Sequence, residues 1–452
     1  MPTNLTASAL RHRPMVPRAR AAAAPLIAPS APASAYPARR LADPALAEPV
    51  ARAYHYLDVV QDAYVRGGEP RLLQSYDNDS ELLATAFVYD NALAMLAWLA
   101  SPTVANVRRA RLVGDALLWA QEHDDTYADG RLRQAYAAGP MRFEGLALDG
   151  LRRADGKAAH LWPYGFGGSS TGDLAWAGLA LAQLYADTRI AKYLDGAVAL
   201  GHWIAERESP YRHGGYHGGV QGDGETPQSW ASTEHNLDAY ALFALLGKLT
   251  RGRAWGPRAE RAAAFVRAMW NSRGRHLWTG TMGGHGGPGL VNVSTVPEDA
   301  QAWQVLSLGD PTFAGAVDWS VRQLRAGDGD ISGVAYSSRV HGTGAEVPAS
   351  TLPHTRDAVW LEGTSHTALA LLERGAPGDA ELARRLLREV VRAQETLGGG
   401  QTVGRRPLPV ASGIVAATNA FDTGFGFGYF PRQHVGATAW FLLAAQQFNP
   451  CR

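Results

Sequence analysis

Residues 232–249 read Ser-Thr-Glu-His-Asn-Leu-Asp-Ala-Tyr-Ala-Leu-Phe-Ala-Leu-Leu-Gly-Lys-Leu. The run opens polar and then turns almost wholly apolar. A helix that is apolar on every side has to be buried, whereas one with a charged stripe lies at a surface. The next helical pattern, 257–270, is of the second kind: Arg258, Glu260, Arg261 and Arg267 interrupt its apolar face. Working outward, the same alternation recurs along the chain. Buried-type helices are expected over 87–99, 172–185, 233–249, 297–308, 360–372 and 435–448. Amphipathic partners are expected over 45–65, 104–121, 190–206, 257–270, 313–324 and 379–394.

One buried and one half-exposed helix, six times over, is what an inner ring wrapped by an outer ring requires. The expected fold is therefore all-α, an (α/α)6 toroid of six helical hairpins with long loops at one end. A two-domain α solenoid would show the same periodicity, so closure of the ring is an inference from the alternation. No run has clear period-two alternation, and 333–340 is the best candidate for a loop hairpin.

Residues 1–44 differ from the rest, being rich in Ala, Pro and Arg without helical period. They are read as a disordered leader ahead of a toroid over 45–450. The segment Ala33-Ser34-Ala35 fits a small-x-small cleavage pattern, but Pro25 breaks the short apolar stretch before it. Location is left open between the cytoplasm and the periplasm or export. No segment approaches the ~20 apolar residues of a membrane span.

The 43 basic and 42 acidic side chains nearly cancel, which leaves no basic surface for nucleic acid and favours a neutral or weakly charged ligand. The single cysteine, Cys451, can form neither an internal disulfide nor a multi-thiolate zinc site. His213 and His217 with Asp223 and Glu225 lack a recognisable ligand spacing. The Gly-rich runs 165–172 and 280–289 lack the Lys-Ser/Thr ending of a phosphate loop. No metal or cofactor is expected.

The buried helices share a second feature: each starts with polar or aromatic residues. These starts are Tyr89-Asp90-Asn91, Thr171-Gly172-Asp173, Thr233-Glu234-His235-Asn236, Glu298-Asp299-Ala300-Gln301, Trp360-Leu361-Glu362-Gly363-Thr364 and Gln433-His434-Val435-Gly436. In a toroid all inner helices point the same way, so these ends converge. The loops that lead into them, 130–171, 209–232, 278–296, 327–359 and 398–433, are long and Gly-rich, and long loops in compact domains are usually functional. Their aromatics (Trp162, Tyr164, Phe166, Tyr211, Tyr216, Trp230, Trp278, Tyr336, Phe425, Phe427 and Tyr429) suit a cleft in which rings pack on sugar C–H faces and carboxylates bind hydroxyls. Any one of the acids is equally explained as an N-cap, with Thr233 or Thr171 the obvious capping hydroxyls, and any one aromatic as loop packing.

The arrangement resembles the six-hairpin glycosidase superfamily over about 45–450, through segments such as Phe87-Val88-Tyr89-Asp90-Asn91-Ala92-Leu93, Ser232 to Tyr240, Trp360 to Thr364 and His434-Val435-Gly436-Ala437-Thr438-Ala439-Trp440. The resemblance implies glycoside hydrolysis by a pair of carboxyl groups at the inner-helix end of the barrel. The same toroid serves epimerases, lyases and phosphorylases, so fold does not fix the reaction.

Such cleavage needs one protonated carboxyl and one ionised carboxylate. The expected pair is Glu234 and Glu362, with Asp90 and Asp299 in reserve. Expected substrate contacts are Tyr89, Asp173, His235, Asp238, Trp303, Trp360, His366 and His434, the partner being an oligosaccharide or polysaccharide. A polysaccharide lyase or sugar epimerase would instead move protons through His235, His366, His434 or Tyr89, although a lyase wants basic residues for its uronic acid and the polar starts contain none. A non-catalytic glycan-binding toroid is the remaining alternative.

Overall fold

The computed structural model describes residues 41–452 except 66–67, 79, 81, 144, 162–164, 285–286, 340–356 and 426. Most of the leader, and the rim residues Trp162 and Tyr164, lie outside the described residues. Twelve α-helices are present among those described: α1 (Ala47–Gln61), α2 (Val88–Ala100), α3 (Val104–Glu122), α4 (Thr171–Thr188), α5 (Ala191–Ala205), α6 (Thr233–Thr250), α7 (Trp255–Ala268), α8 (Asp299–Leu306), α9 (Gly315–Gln323), α10 (Leu361–Arg374), α11 (Asp379–Thr396) and α12 (Val435–Ala445).

The even-numbered helices form the inner ring. Each packs on the next, α2 on α4, α4 on α6, α6 on α8, α8 on α10 and α10 on α12, and α12 packs back on α2. The circle is closed, so the solenoid alternative is excluded. The odd helices lie outside, with α3, α5, α7, α9 and α11 each against the inner helix before it and α1 against α12. The seam is tied by the Ala42 N–H donating to the Ala445 carbonyl (2.8 Å) and by Gln446 donating to the Tyr54 hydroxyl (2.8 Å). The physical cause is as read from the pattern: α12 is buried along its whole length, while α11 buries one side of a strongly charged helix.

Short strands stitch the rim, each too brief to show alternation in sequence. The residues that feed an inner helix pair with the loop that feeds the next: Thr85–Phe87 with Ala135–Ala137, Ser169–Ser170 with Gly219–Val220, and Ala231–Ser232 with Gly280–Thr281. Single bridges Pro297↔Ser337 and Trp360↔Ala417 continue the pattern. Val435 N–H then donates to Ser75 O (3.0 Å) and completes the circle. The clearest loop hairpin is Arg325–Asp328 with Ile331–Val334, which overlaps the expected 333–340 only at Gly333 and Val334.

Buried amides lock the loops to the inner helices. Asn91, Asn236 and Gln301 each accept from the backbone N–H and donate to the carbonyl of one loop residue, respectively Leu73, Tyr216 and Leu277. Each also donates to the carbonyl four residues before it, in the lead-in to its own helix. A buried amide satisfied at both ends holds a loop that has few apolar contacts of its own.

Candidate active site

The inner-helix N-termini meet in a cleft of about 1030 Å³. Asp90, Glu234, Asp299 and Glu362, from α2, α6, α8 and α10, all contribute to its wall. Of the expected contact residues, Tyr89, Asp173, His235, Trp303, Trp360 and His434 also line it. Asp238 and His366 do not; each lies one helical turn beneath, four residues after Glu234 and Glu362. Among the rim aromatics, Phe166, Trp230, Tyr336, Phe425, Phe427 and Tyr429 reach the cleft, whereas Tyr211, Tyr216 and Trp278 do not.

Capping is handled one residue earlier than the sequence suggested. Ser170 and Ser232, in extended conformation, accept from the backbone N–H of Asp173 and His235. The hydroxyls of Thr171 and Thr233 instead donate to the loop carbonyls of His217 (2.7 Å) and Trp278 (2.6 Å). The carboxyls of Asp173 and Glu234 are thus not spent on capping and remain in the cleft wall.

The floor is aromatic. Trp176 from α4, Trp303 from α8 and Trp440 from α12, alternate members of the ring, meet with centroids 5.1, 5.5 and 5.7 Å apart. This indole plug closes the barrel beneath the carboxyls and lowers the local dielectric, which magnifies every charge above it. Trp176 and Trp440 were missed as site residues because a Trp within an apolar helix reads as core. Their signal was position, three residues after Asp173 and four after Gly436, one turn below the polar ends.

Two electrostatic environments result. On one side, burial pushes the Glu362 carboxyl up, but His366, His434 and the hydrogen bond from Tyr89 outweigh it and hold the group below the usual Glu range. Tyr89 Oη donates to Glu362 Oε1 (2.7 Å) and itself accepts from Trp440 Nε1 (2.8 Å). His434 caps α12 through Nδ1, which lies 3.6 Å from Glu362 Oε2, and its Nε2 is 3.1 Å from Asp90 Oδ2. Burial works against its charge, yet Asp90 and Glu362 raise its pKa.

On the other side, burial followed by the charges of Asp299, Asp238, Asp173 and Glu362 pushes Glu234 well above the ordinary Glu value. Burial and Asp90 push Asp173 up to about 7; burial and Glu298 do the same for Asp299. Several carboxyls that share a dry site cannot all ionise. Burial also depresses His235 to about 4, so its ring is neutral at pH 7.

Two substitutions probe this geometry. A Cβ on Gly436 would lie 2.6 Å from Asp90 Oδ1, 2.8 Å from His434 Cε1 and 3.2 Å from Glu362 Oε2. Gly436→Ala should therefore lower thermal stability by about 1–3 kcal/mol despite the better helix propensity of Ala. A variant that melts at or above the parent would refute this placement.

Asp299 has a folded pKa raised above its unfolded value, so its stabilising contribution is complete below about 4 and is lost as pH rises to about 7. Asp299→Asn should still accept the Ala300 N–H that Asp299 Oδ1 accepts at 2.5 Å. It should raise the melting temperature at pH 8 clearly more than at pH 4, with a ceiling of about 4 kcal/mol. Melts that shift equally at both pH values would refute the protonation assignment.

No protein-family model and no curated protein matches the chain. Solved structures do match its fold. A family 76 glycoside hydrolase (mannosidase) from Bacteroides thetaiotaomicron shares 12% identity with a TM-score of 0.54, over 88% of this chain and 98% of that one. A cellobiose 2-epimerase from Bacillus thermoamylovorans shares 11% with a TM-score of 0.58, over 87% and 98%. A glycosidase, solved also as a glutamate-to-alanine variant in complex with glucose, shares 14% with a TM-score of 0.55, over 90% and 98%. The resemblance read from the sequence thus holds at the level of fold: the chain is an (α/α)6 toroid, the fold these structures share.

Proposed function

We propose that the chain is a glycoside hydrolase acting on a neutral glycan, with Glu234 as general acid and Glu362 as the ionised partner that activates water or attacks the anomeric carbon. One observation carries this reading: two carboxyls in a single cleft have their pKa values pushed in opposite directions, Glu234 upward and Glu362 downward. Asp299 is only 2% exposed and accepts the Ala300 N–H, and Asp90 is equally buried against His434. Glu234, like Asp173, is only partly buried, unlike Asp238 and Asp299, and as the glutamate with the raised pKa it fits the task of protonating a leaving oxygen.

The neutral character of the substrate follows from the wall. Among the described residues, no Lys or Arg lines the cleft. Arg432, the basic residue next to the α12 start, pairs with Asp77 at 3.2 Å. A uronate or phosphate would meet several carboxyls and no Lys or Arg among the described residues, which disfavours lyase and phosphorylase chemistry.

An epimerase is the second reading, favoured by His235 and His434 in the same wall, one neutral and the other biased toward its cation. The mannan-acting and glucose-bound neighbours put manno- and gluco-oligosaccharides first in a screen. New reducing ends support hydrolysis; an epimerised sugar at constant reducing ends supports the second reading. Tight binding without turnover would leave a lectin-like toroid.

A further inference from the structure

We infer that Glu298 is a positioning residue, one end of a buried relay Glu298–His366–Glu362 that supplies the cation opposite the cleft carboxylate. The inference rests on the role proposed for Glu362, and its geometry runs beneath the cleft rather than along its wall.

Glu298 sits at the N-cap of α8, where an acid is ordinarily explained by the helix end, yet its side chain makes no capping hydrogen bond. It is fully buried. One oxygen, Oε2, lies 3.2 Å from His366 Nδ1, and Oε1 accepts from the Thr367 hydroxyl at 2.6 Å. Both carboxylate oxygens are therefore committed to α10. The other imidazole nitrogen, Nε2, stands 3.6 Å from Glu362 Oε1. The imidazole lies between two buried carboxylates from different helices, at 0% exposure.

Three indoles box this ring: Trp440, Trp303 and Trp360, with centroids 4.3, 5.1 and 5.1 Å from it. They exclude water, fix the ring plane and are compatible with a cation among π faces. An imidazolium between two anions balances charge better than a neutral ring, which would leave two buried carboxylates sharing no cation. Burial opposes the charge, but Glu298 and Glu362 together raise His366 to about 9.

The other titratable groups facing the pair come from each inner helix around it. Asp299 from α8 faces both His366 and Glu362, and Glu234 from α6 faces Glu362 across the cleft. From α2 come Tyr89 and Asp90, and from the start of α12 His434. The loop phenols Tyr336 and Tyr429 also face Glu362. Glu298 is the acid among these that engages His366 through Nδ1, which is why it controls the ring rather than the cleft.

The sign of the effect follows. Removing the Glu298 charge lowers the His366 pKa, so the ring gives up its proton at a lower pH and Glu362 loses its facing cation above that lowered midpoint. Histidine labelled at Cε1, assigned with His366→Gln, gives a readout independent of turnover. In the full-length protein His366 should titrate above pH 8. Glu298→Gln should lower that midpoint by at least about one unit, and Glu298→Asp, which keeps the charge, should largely preserve it. A His366 that titrates near 6.5 in the unaltered protein overturns the relay, even if Glu298→Gln does not fold. Equal falls of that midpoint in the Gln and Asp variants would also overturn it. Should no glycan be cleaved, the hydrolase reading fails while the histidine titration still decides the relay.

Discussion

Glu362→Gln should reduce kcat/KM on a neutral oligosaccharide by roughly three to four orders of magnitude with little change in far-ultraviolet circular dichroism. The amide is nearly isosteric and its oxygen can still accept from Tyr89, which holds Glu362 Oε1 at 2.7 Å. What it loses is the negative charge that His366, His434 and Tyr89 hold in place against the cost of burial. Since Glu362 lies below the usual Glu range, the unaltered enzyme should retain its base form well into the acid, and its activity should fall only as pH drops past that lowered value. Truncation to Glu362→Ala should be as damaging but open a space that azide can enter. Rescue by azide, with the configuration of the glycosyl azide read by NMR, would show that an anion at this position acts on the anomeric carbon. A kcat/KM for Glu362→Gln within tenfold of the parent would remove Glu362 from the reaction.

Much of this site was legible because burial and polarity are both written along single helices. A helix such as α6, polar for its first turn and apolar after it, states its place in the inner ring and the end at which its acids emerge. The helix limits follow within a few residues for the same reason. Closure of the ring was not legible, because it depends on α12 packing on α2 across the whole chain, and no local pattern encodes that contact. The rim strands escaped because pairs of two or three residues have no period to detect. Glu298 escaped for a different reason. Beside Asp299 at a helix start it has a sufficient local explanation as a cap, and only the distances to His366 and Thr367 on α10 show that its carboxylate points elsewhere. Asp238 and His366, expected among the substrate contacts, do not line the cleft and lie one turn below Glu234 and Glu362. The i to i+4 spacing that puts them on the same helical face as Glu234 and Glu362 also carries them 6 Å or so down the barrel.

Glu234→Gln should separate proton donation from the rest of the reaction. On an oligosaccharide, whose leaving alkoxide is strongly basic, the loss of the acid should lower kcat by about 10²–10⁴-fold. On a 2,4-dinitrophenyl glycoside, whose leaving group departs without protonation, the same variant should stay within about tenfold of the parent. Burial comes first and the charges of Asp299, Asp238, Asp173 and Glu362 follow in pushing Glu234 upward. The parent enzyme should accordingly lose activity on oligosaccharides as pH rises through that elevated value. With the activated substrate and the Gln variant, that basic limb should vanish while the acid limb set by Glu362 remains. Equal losses on both substrates would mean that Glu234 only binds. In that case Asp299, pushed up to about 7 in the same wall, becomes the acid to test by the same pair of substrates, since a raised carboxyl within reach of the leaving oxygen is the one requirement the chemistry cannot relax.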